Sequence, residues 1–499
     1  MSQSTAASAV ASPTPTGPAA LPRRWLILAV IALAQVTVVL DATIVNIALP
    51  SAQQDLGFSD GNRQWVVTAY ALAFGSLLLL GGRIADLFGR RNAFLIGLFG
   101  FALASAAGGA APNFEVLVAA RALQGVFGAL LAPAALSLLT TTFTDPGERA
   151  KAFGVFGAVA GAGGGVGLLL GGLLTQHLDW RWCLYVNLIL AGAAIVGGFL
   201  LLGRHEPAAD RPRLDLPGTL AVSAGLFALV YGFSRAESDG WSDPITYGCL
   251  IAAAALLAVF VRIQGSVANP LLPLRVVVDR DRGAALLGML ISGAGMFGMF
   301  LFLTFYMQQT LHYSPVRTGL SFLPMVFGIM ITATSATVIL LPRFGPKPIV
   351  PTGMGLAALG LLYLTRLDLD SGYAGDLMPG LIAFGAGVGL VIAPCMSAAT
   401  FGVRAEDAGV ASAAVNTVQQ VGGSVGIALL STLAATAGSD YLDGRQPSPE
   451  AFAHAALESY ATAYRWSAAF FAIGLLVTAV LFRPGAPAPA SKTAPAVHM

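Results

Sequence analysis

What this chain lacks is charge. Only 10% of its 499 residues are Asp, Glu, Lys or Arg, against about 25% in soluble globular proteins, so it has too few charges to cover a water-facing surface. The net charge is only +2 and no basic run or basic face occurs, which excludes a nucleic-acid partner. Cysteine is equally scarce. Cys183, Cys249 and Cys395 stand apart in apolar stretches without metal-ligand spacing, which argues against both a disulfide framework and a metal site. The five histidines fall in connections or the tail. An enzyme needs clustered titratable groups at one reachable site, and none assembles here. Without a P-loop motif an ATP-driven pump is disfavoured too, and no residue pattern calls for a cofactor.

What is present is apolar. Hydrophobic residues make up 56% of the chain and the mean hydropathy is +0.75. Glycine is abundant (59 residues) without a Gly-X-Y period, a composition suited to close helix packing in lipid. About 20 apolar residues cross ~30 Å of hydrocarbon. On that measure spans are expected near 25–49, 63–81, 93–111, 115–139, 152–175, 183–202, 216–235, 246–264, 284–307, 318–341, 348–365, 377–397, 408–434 and 464–482. The run from Trp25 to Leu49 follows Arg23-Arg24 and is too long for a signal-peptide core. It is read as the first membrane helix.

The predicted fold class is therefore an all-α integral membrane protein with 14 transmembrane helices in a 6+2+6 arrangement. Residues 1–24 form a tail rich in Ser, Ala, Thr and Pro, 25–202 a first six-helix bundle, 203–215 a polar basic linker and 216–265 two inserted helices. Residues 283–482 form a second six-helix bundle, and 483–499 a second tail. Both tails read as disordered. The largest segment on the opposite side from the tails is expected at roughly 436–463. Loop charge supplies a second check. The even-numbered connections and the tails hold 19 of the 27 Lys and Arg residues, the odd-numbered connections 7, and Arg121 lies inside span 4. Positive residues favour the cytoplasmic side, which places both termini in the cytoplasm.

Asp41, in Leu40-Asp41-Ala42-Thr43-Ile44-Val45-Asn46-Ile47-Ala48-Leu49-Pro50, is the one acidic residue deep in a span. An ionised carboxylate there must pair, protonate or face water. Desolvation favours its neutral form, the property a proton carrier needs; a purely structural ion pair is the other reading. Arg121, in Arg121-Ala122-Leu123-Gln124-Gly125, is its natural partner. At a rise of ~1.5 Å per residue, Asp41 lies ~12 Å and Arg121 ~9 Å from the same side of the membrane. Gln124 stands in the same layer. The alternative for Arg121 is that it snorkels outward.

Between spans 2 and 3, Gly82-Arg83-Ile84-Ala85-Asp86-Leu87-Phe88-Gly89-Arg90-Arg91 combines turn glycines with opposed charges. Asp86 can meet the positive end of a neighbouring helix, while Arg90 and Arg91 offer forked donors to carboxylates, the parts of a gate. Leu341-Pro342-Arg343-Phe344-Gly345-Pro346-Lys347 echoes that turn in the second half, consistent with internal duplication. Span 5 is dense in glycine, including Gly157, Gly161, Gly167, Gly171 and Gly172; it is read as a close-packing helix that also bends or slides. Gln124, Asn416, Gln419 and Gln420 are candidates for a polar lining of the substrate cavity.

These residues resemble the fourteen-helix drug:proton antiporter family of the major facilitator superfamily over nearly the whole chain. Leu40–Pro50 is similar to the family's span-1 signature, Gly82–Arg91 to the superfamily's loop 2–3 motif and Arg121–Gly125 to its span-4 motif. Trp180-Arg181-Trp182 with Asn187 resembles the segment entering span 6. Tyr306–Gln309, Arg317–Gly319 and Phe322–Pro324 resemble the span 9–10 region of bacterial members. The resemblance implies the major facilitator fold in the cell membrane, with proton-driven export of a small amphipathic drug or antibiotic. It also implies Asp41 as coupling acid, Arg121 assisting proton movement, and span 5 as the antiporter helix. Two positions depart from the pattern. Leu168 follows Gly167 where the family has proline, and Ile189 stands where proline is common. Spans 9–14 hold no deep carboxylate, since Glu406 and Asp407 are at the mouth, which points to neutral or monocationic substrates. A carrier of the same fold for an endogenous lipid, metabolite or siderophore is the alternative, because such pockets are alike in residue type. Protons and membrane lipid are the other expected partners.

Overall fold

The computed structural model describes residues 20–59, 62–143, 145–203, 215–267, 270–403 and 408–485. Most of the two tails, residues 204–214 of the linker, and Glu406 and Asp407 therefore lie outside the described residues. Among the described residues fourteen long helices follow one another. They are α1 (Ala20–Leu56), α2 (Gln64–Phe88), α3 (Arg90–Gly109), α4 (Phe114–Thr142), α5 (Pro146–His177), α6 (Trp182–Leu201), α7 (Leu216–Asp239) and α8 (Pro244–Gln264). After a short turn come α9 (Arg280–Thr310), α10 (Pro315–Phe344), α11 (Pro346–Leu364) and α12 (Tyr373–Thr400). The last two are α13 (Ala408–Leu442) and α14 (Pro449–Leu481). Thirteen of them, all but α5, are long and apolar enough among the described residues to cross a membrane. The chain is a multi-pass membrane protein.

Connections are short because helix starts are built into the sequence. Asn113, Asp145, Asp243 and Ser448 accept hydrogen bonds from the first-turn amides of α4, α5, α8 and α14, which satisfies donors that otherwise have no partner. Pro146, Pro244 and Pro449 occupy the first turn, where a missing N–H is harmless.

Residues 436–463, expected as the largest segment on the side opposite the tails, are helical for most of their length: α13 runs on to Leu442 and α14 begins at Pro449. Hydropathy marks where lipid ends, whereas an alanine-rich run behind a Ser-Pro cap keeps its helix into water. Likewise α1 extends to Leu56, about two turns beyond the expected end of span 1.

Helices α1–α6 pack among themselves, as do α9–α14, while α7 and α8 pair outside both sets. Helix α7 lies against the seam where α2 meets α13: Leu79, Val222, Leu226, Phe260 and Val421 share one apolar cluster. Ser223 adds a hydrogen bond to the Ser76 carbonyl at 2.9 Å. The two turns expected to correspond have the same shape. A single glycine links α2 to α3 (Gly89, φ 90°) and α10 to α11 (Gly345, φ 72°), a backbone region open mainly to glycine.

The face carrying the odd-numbered connections (the odd face) is where the two halves meet end to end. Gln308 donates to the Ile47 carbonyl at 3.0 Å, and the Val316 amide to Gln176 at 3.3 Å. The Arg63 guanidinium lies 4.2 Å from the centre of the Phe305 ring. Helices α5 and α10 approach so closely that a Cβ on Gly172 would stand 2.6 Å from the Pro315 carbonyl oxygen.

Candidate functional site

Asp41 is buried completely, and five of the first six helices contribute to the polar cluster around it. Helix α4 carries Arg121 and Gln124 one turn apart. The Arg121 Nη1 meets Asp41 Oδ2 at 2.6 Å and also donates to Gln124 Oε1 at 2.8 Å. Its Nε donates to the Val66 carbonyl at 3.1 Å, and its guanidinium lies 4.6 Å from the centre of the Tyr70 ring. The other carboxylate oxygen, Asp41 Oδ1, accepts from Gln124 Nε2 at 2.8 Å and from Asn187 Nδ2 at 2.7 Å. Ser105 on α3 closes the circuit, accepting from Gln124 at 2.7 Å and from Asn187 at 3.4 Å.

Every side chain in this set except Tyr70, which is 2% exposed, is at most 1% exposed. Asp41 thus accepts three donors, one of them cationic, which is what an ionised carboxylate in a dry interior requires. On the odd side of Arg121 is a small apolar void lined by Val45, Leu49, Val66, Leu117, Trp180 and Cys183 among others. Its lid is the Trp180-Arg181 turn. Trp180 Nε1 and Arg181 Nη2 both donate to Asp55 Oδ2, at 3.0 and 2.8 Å, and Arg181 also holds the Ala111 carbonyl at 2.9 Å. Asp41 itself has no exposure to solvent.

Helix α5 passes behind α1 on its glycine face. Gly163 meets Val39, Gly167 meets Thr43 and Leu40, and Gly171 meets Ile44. Its other face meets α10, with Gly165 against Val326, Gly172 against Pro315 and the Leu168 carbonyl against Gly319. The helix is unbroken from Pro146 to His177, as expected where Leu168 replaces a residue that would remove a backbone donor.

The Major Facilitator Superfamily model matches residues 31–427. The chain belongs to the major facilitator superfamily. It is 51% identical over 463 residues to a puromycin resistance protein of Streptomyces alboniger, covering 92% of this chain and 91% of that one. It is 38% identical over 398 residues to a cephamycin export protein of Amycolatopsis lactamdurans, covering 79% and 82%. Among solved structures, a POT family transporter shares the fold with a TM-score of 0.68 at 16% identity, over 94% of this chain and 98% of that one. The protein is accordingly a transporter rather than an enzyme.

Within this major facilitator fold the expected site residues divide into separate groups. Asp41, Arg121 and Gln124 come together, so Gln124 belongs to the buried acid's network rather than to a cavity wall; both of its amide atoms are engaged there. Asn416, Gln419 and Gln420 lie half-buried on α13, away from Asp41. Asn416 donates to the Ser412 carbonyl, and Gln420 packs against Gly75 of α2. In the α2–α3 turn, Gly82 packs on Pro133 and Gly89 makes the turn. Among the described residues Arg91 reaches no carboxylate: its Nε donates to the Leu202 carbonyl at 2.9 Å, one of the partnerless acceptors at the end of α6. Arg90 sits half-buried beside it, and the Asp86 side chain lies outside the described residues. Gly157 and Gly161 fall within α5, but their surroundings are also outside the description.

Ser105, Tyr70 and the Val66 carbonyl were not among the expected residues, and Asn187 was noted only for its place in the Trp180–Asn187 segment. A polar residue in an otherwise apolar span is the available signal for Asn187 and Ser105, but it is shared with many serines and threonines that bond only to their own helix. A backbone carbonyl leaves no signal in sequence.

Proposed function

We propose that this transporter exports amphipathic drugs or antibiotics from the cell in exchange for protons, by alternating access. It resides in the cell membrane with both termini cytoplasmic, following the excess of Lys and Arg on the even-numbered connections. The odd face is then external, and its close contacts between α1, α5, α9 and α10 belong to a state closed to the outside.

The observation that carries this reading is the Asp41 cluster: one carboxylate, fully buried, with a cation and two amides on its two oxygens. A group so held can exist charged with Arg121 as partner, or neutral once the halves part and a proton enters from outside. Helix α5 supplies the mechanical link. It touches the helix of Asp41 on one face and α10 of the other half on its second face, so separation of α5 from α10 moves the support behind Asp41. Opening outward unseats the Trp180 lid, a proton binds Asp41, and substrate leaves. Closing returns Asp41 to Arg121, and the proton leaves inward as new substrate binds.

Identity to a puromycin resistance protein makes puromycin the first substrate to try. Without a deep carboxylate in the described parts of α9–α14, neutral and monocationic compounds are favoured over divalent cations. The test is efflux in everted vesicles driven by an imposed pH gradient. Asp41→Asn abolishes it at unchanged expression; full retained transport by that variant overturns proton coupling through Asp41.

A further inference from the structure

Asn187 carries one atom that the network leaves out. Its Nδ2 donates to Asp41 Oδ1 at 2.7 Å and lies 3.4 Å from Ser105 Oγ, while its Oδ1, fully buried, accepts from no group among the described residues. A buried amide oxygen without a donor is unfavourable, and charge alone explains why the side chain stands this way: an ionised carboxylate accepts only, so it draws the NH2 end and turns the oxygen away.

We propose that Asn187 is a positioning residue whose amide reverses when Asp41 binds its proton, resting on the reading of Asp41 as the coupling acid. The proton, taken from water on the odd side, bonds to Asp41 Oδ1. The new O–H donates to Asn187 Oδ1 once the amide has turned by half a rotation, which brings Oδ1 to where Nδ2 stood, 2.7 Å from Asp41 Oδ1 and 3.4 Å from Ser105 Oγ, whose hydroxyl can also donate to it. The balance is one proton: the carboxylate becomes neutral, the amide oxygen acquires the donor it lacked, and Nδ2 gives up the charged acceptor that held it. Arg121, left without its counter-ion, keeps the Val66 carbonyl, Gln124 Oε1 and the Tyr70 ring.

Gln124 cannot take this role, because its Oε1 is held by Arg121 and its Nε2 by Asp41 and Ser105. The charged and titratable groups facing Asp41 are Arg121 from α4, Tyr70 from α2 and Cys183 from α6; α3 and α5 contribute none among the described residues. Asn187 thus serves both protonation states, giving a donor to the charged acid and an acceptor to the neutral one.

The test is pH-difference infrared spectroscopy of the purified full-length transporter. The carbonyl stretch of the protonated carboxyl is assigned to Asp41 by its loss in Asp41→Asn; if that variant loses no band, the coupling reading itself falls. With the band assigned, Asn187→Leu moves it to higher frequency, since the acid O–H has lost its acceptor. Asn187→Thr, whose hydroxyl can both donate and accept, returns it toward the wild-type position. A second readout needs no leucine variant. Wild type shows a side-chain amide carbonyl band that falls in frequency on protonation and is missing from Asn187→Thr. An Asp41 band unmoved in a folded Asn187→Leu, or no pH-linked amide band in wild type, overturns the reversal.

Discussion

The carbonyl oxygen of Leu168 occupies the place where a side chain on Gly319 would begin: a Cβ built there stands 2.5 Å from it. Two helices from opposite halves of the molecule therefore touch backbone to backbone on the odd face. Gly319→Ala forces them apart at a typical overpacking penalty of about 1–3 kcal/mol, which shifts a two-state population roughly 5- to 150-fold. Cys183, which lines the void behind the Trp180 lid, is a native reporter. Its labelling by a membrane-impermeant thiol reagent in cells is expected to be slow in wild type and to rise by about that factor in Gly319→Ala. An unchanged rate in a folded variant counts against the closed-state contact.

Arg63→Ala tests the same seal at its rim. A cation over an aromatic ring is worth about 0.5–1 kcal/mol at exposed sites, so a rise in Cys183 labelling of only a few-fold is expected. A larger response than that of Gly319→Ala would assign the seal to the rim rather than to α5 and α10.

Arg121→Lys keeps the charge and is expected to fail. A single ammonium on a flexible stem does not reproduce the planar fork that spans Val66, Asp41 and Gln124, and efflux should fall by at least about tenfold, the worth of one charge-assisted bond. Arg121→Leu leaves a buried carboxylate without its cation, at about 3–5 kcal/mol, seen as a lower melting temperature in detergent. The double variant Asp41→Asn, Arg121→Leu recovers much of that stability and none of the transport. Equal melting of the single and double variants would mean that the pair is not the unit it resembles.

Gly89→Ala and Gly345→Ala each place a Cβ in the left-handed region, at about 1–2 kcal/mol. A Cβ at Gly89 would meet nothing within 4 Å, so its whole effect is conformational. The two variants are expected to lower thermal stability by similar small amounts, and a large difference would show that the two turns are equivalent in shape alone.

What could be read without coordinates follows from what each residue type costs in lipid. Asp41 and Arg121 stand out because a charge amid apolar residues demands a partner, and their depths along two antiparallel spans agree. Ser105 and Asn187 do not, because a neutral polar residue in a membrane helix usually satisfies itself on its own turn, as Thr37, Thr43 and Asn46 do here. Gln124 was legible as polar and as lying in the right layer, but its partners depend on which way the face of α4 turns. Arg91 shows the converse: its charge suggested a carboxylate, while the acceptor it found is a backbone carbonyl at the end of α6. The length of α13 and α14 was hidden for a different reason, since apolarity reports where hydrocarbon stops and says nothing of where hydrogen-bonded turns stop.

That last feature has a practical side. Helix α13 has 35 residues and α14 has 33, each about 50 Å long at ~1.5 Å per residue, and they are joined by the few residues between Leu442 and Pro449. Helices of that length overrun the ~30 Å of bilayer hydrocarbon, and their shared tip carries Tyr441 with the Arg445 guanidinium and the His454 ring against it. For a chain with so little mass outside lipid, this tip is a ready handle for an antibody fragment. Such a fragment would break the featureless outline of the particle in a micelle and give electron-microscopy images a direction to align on.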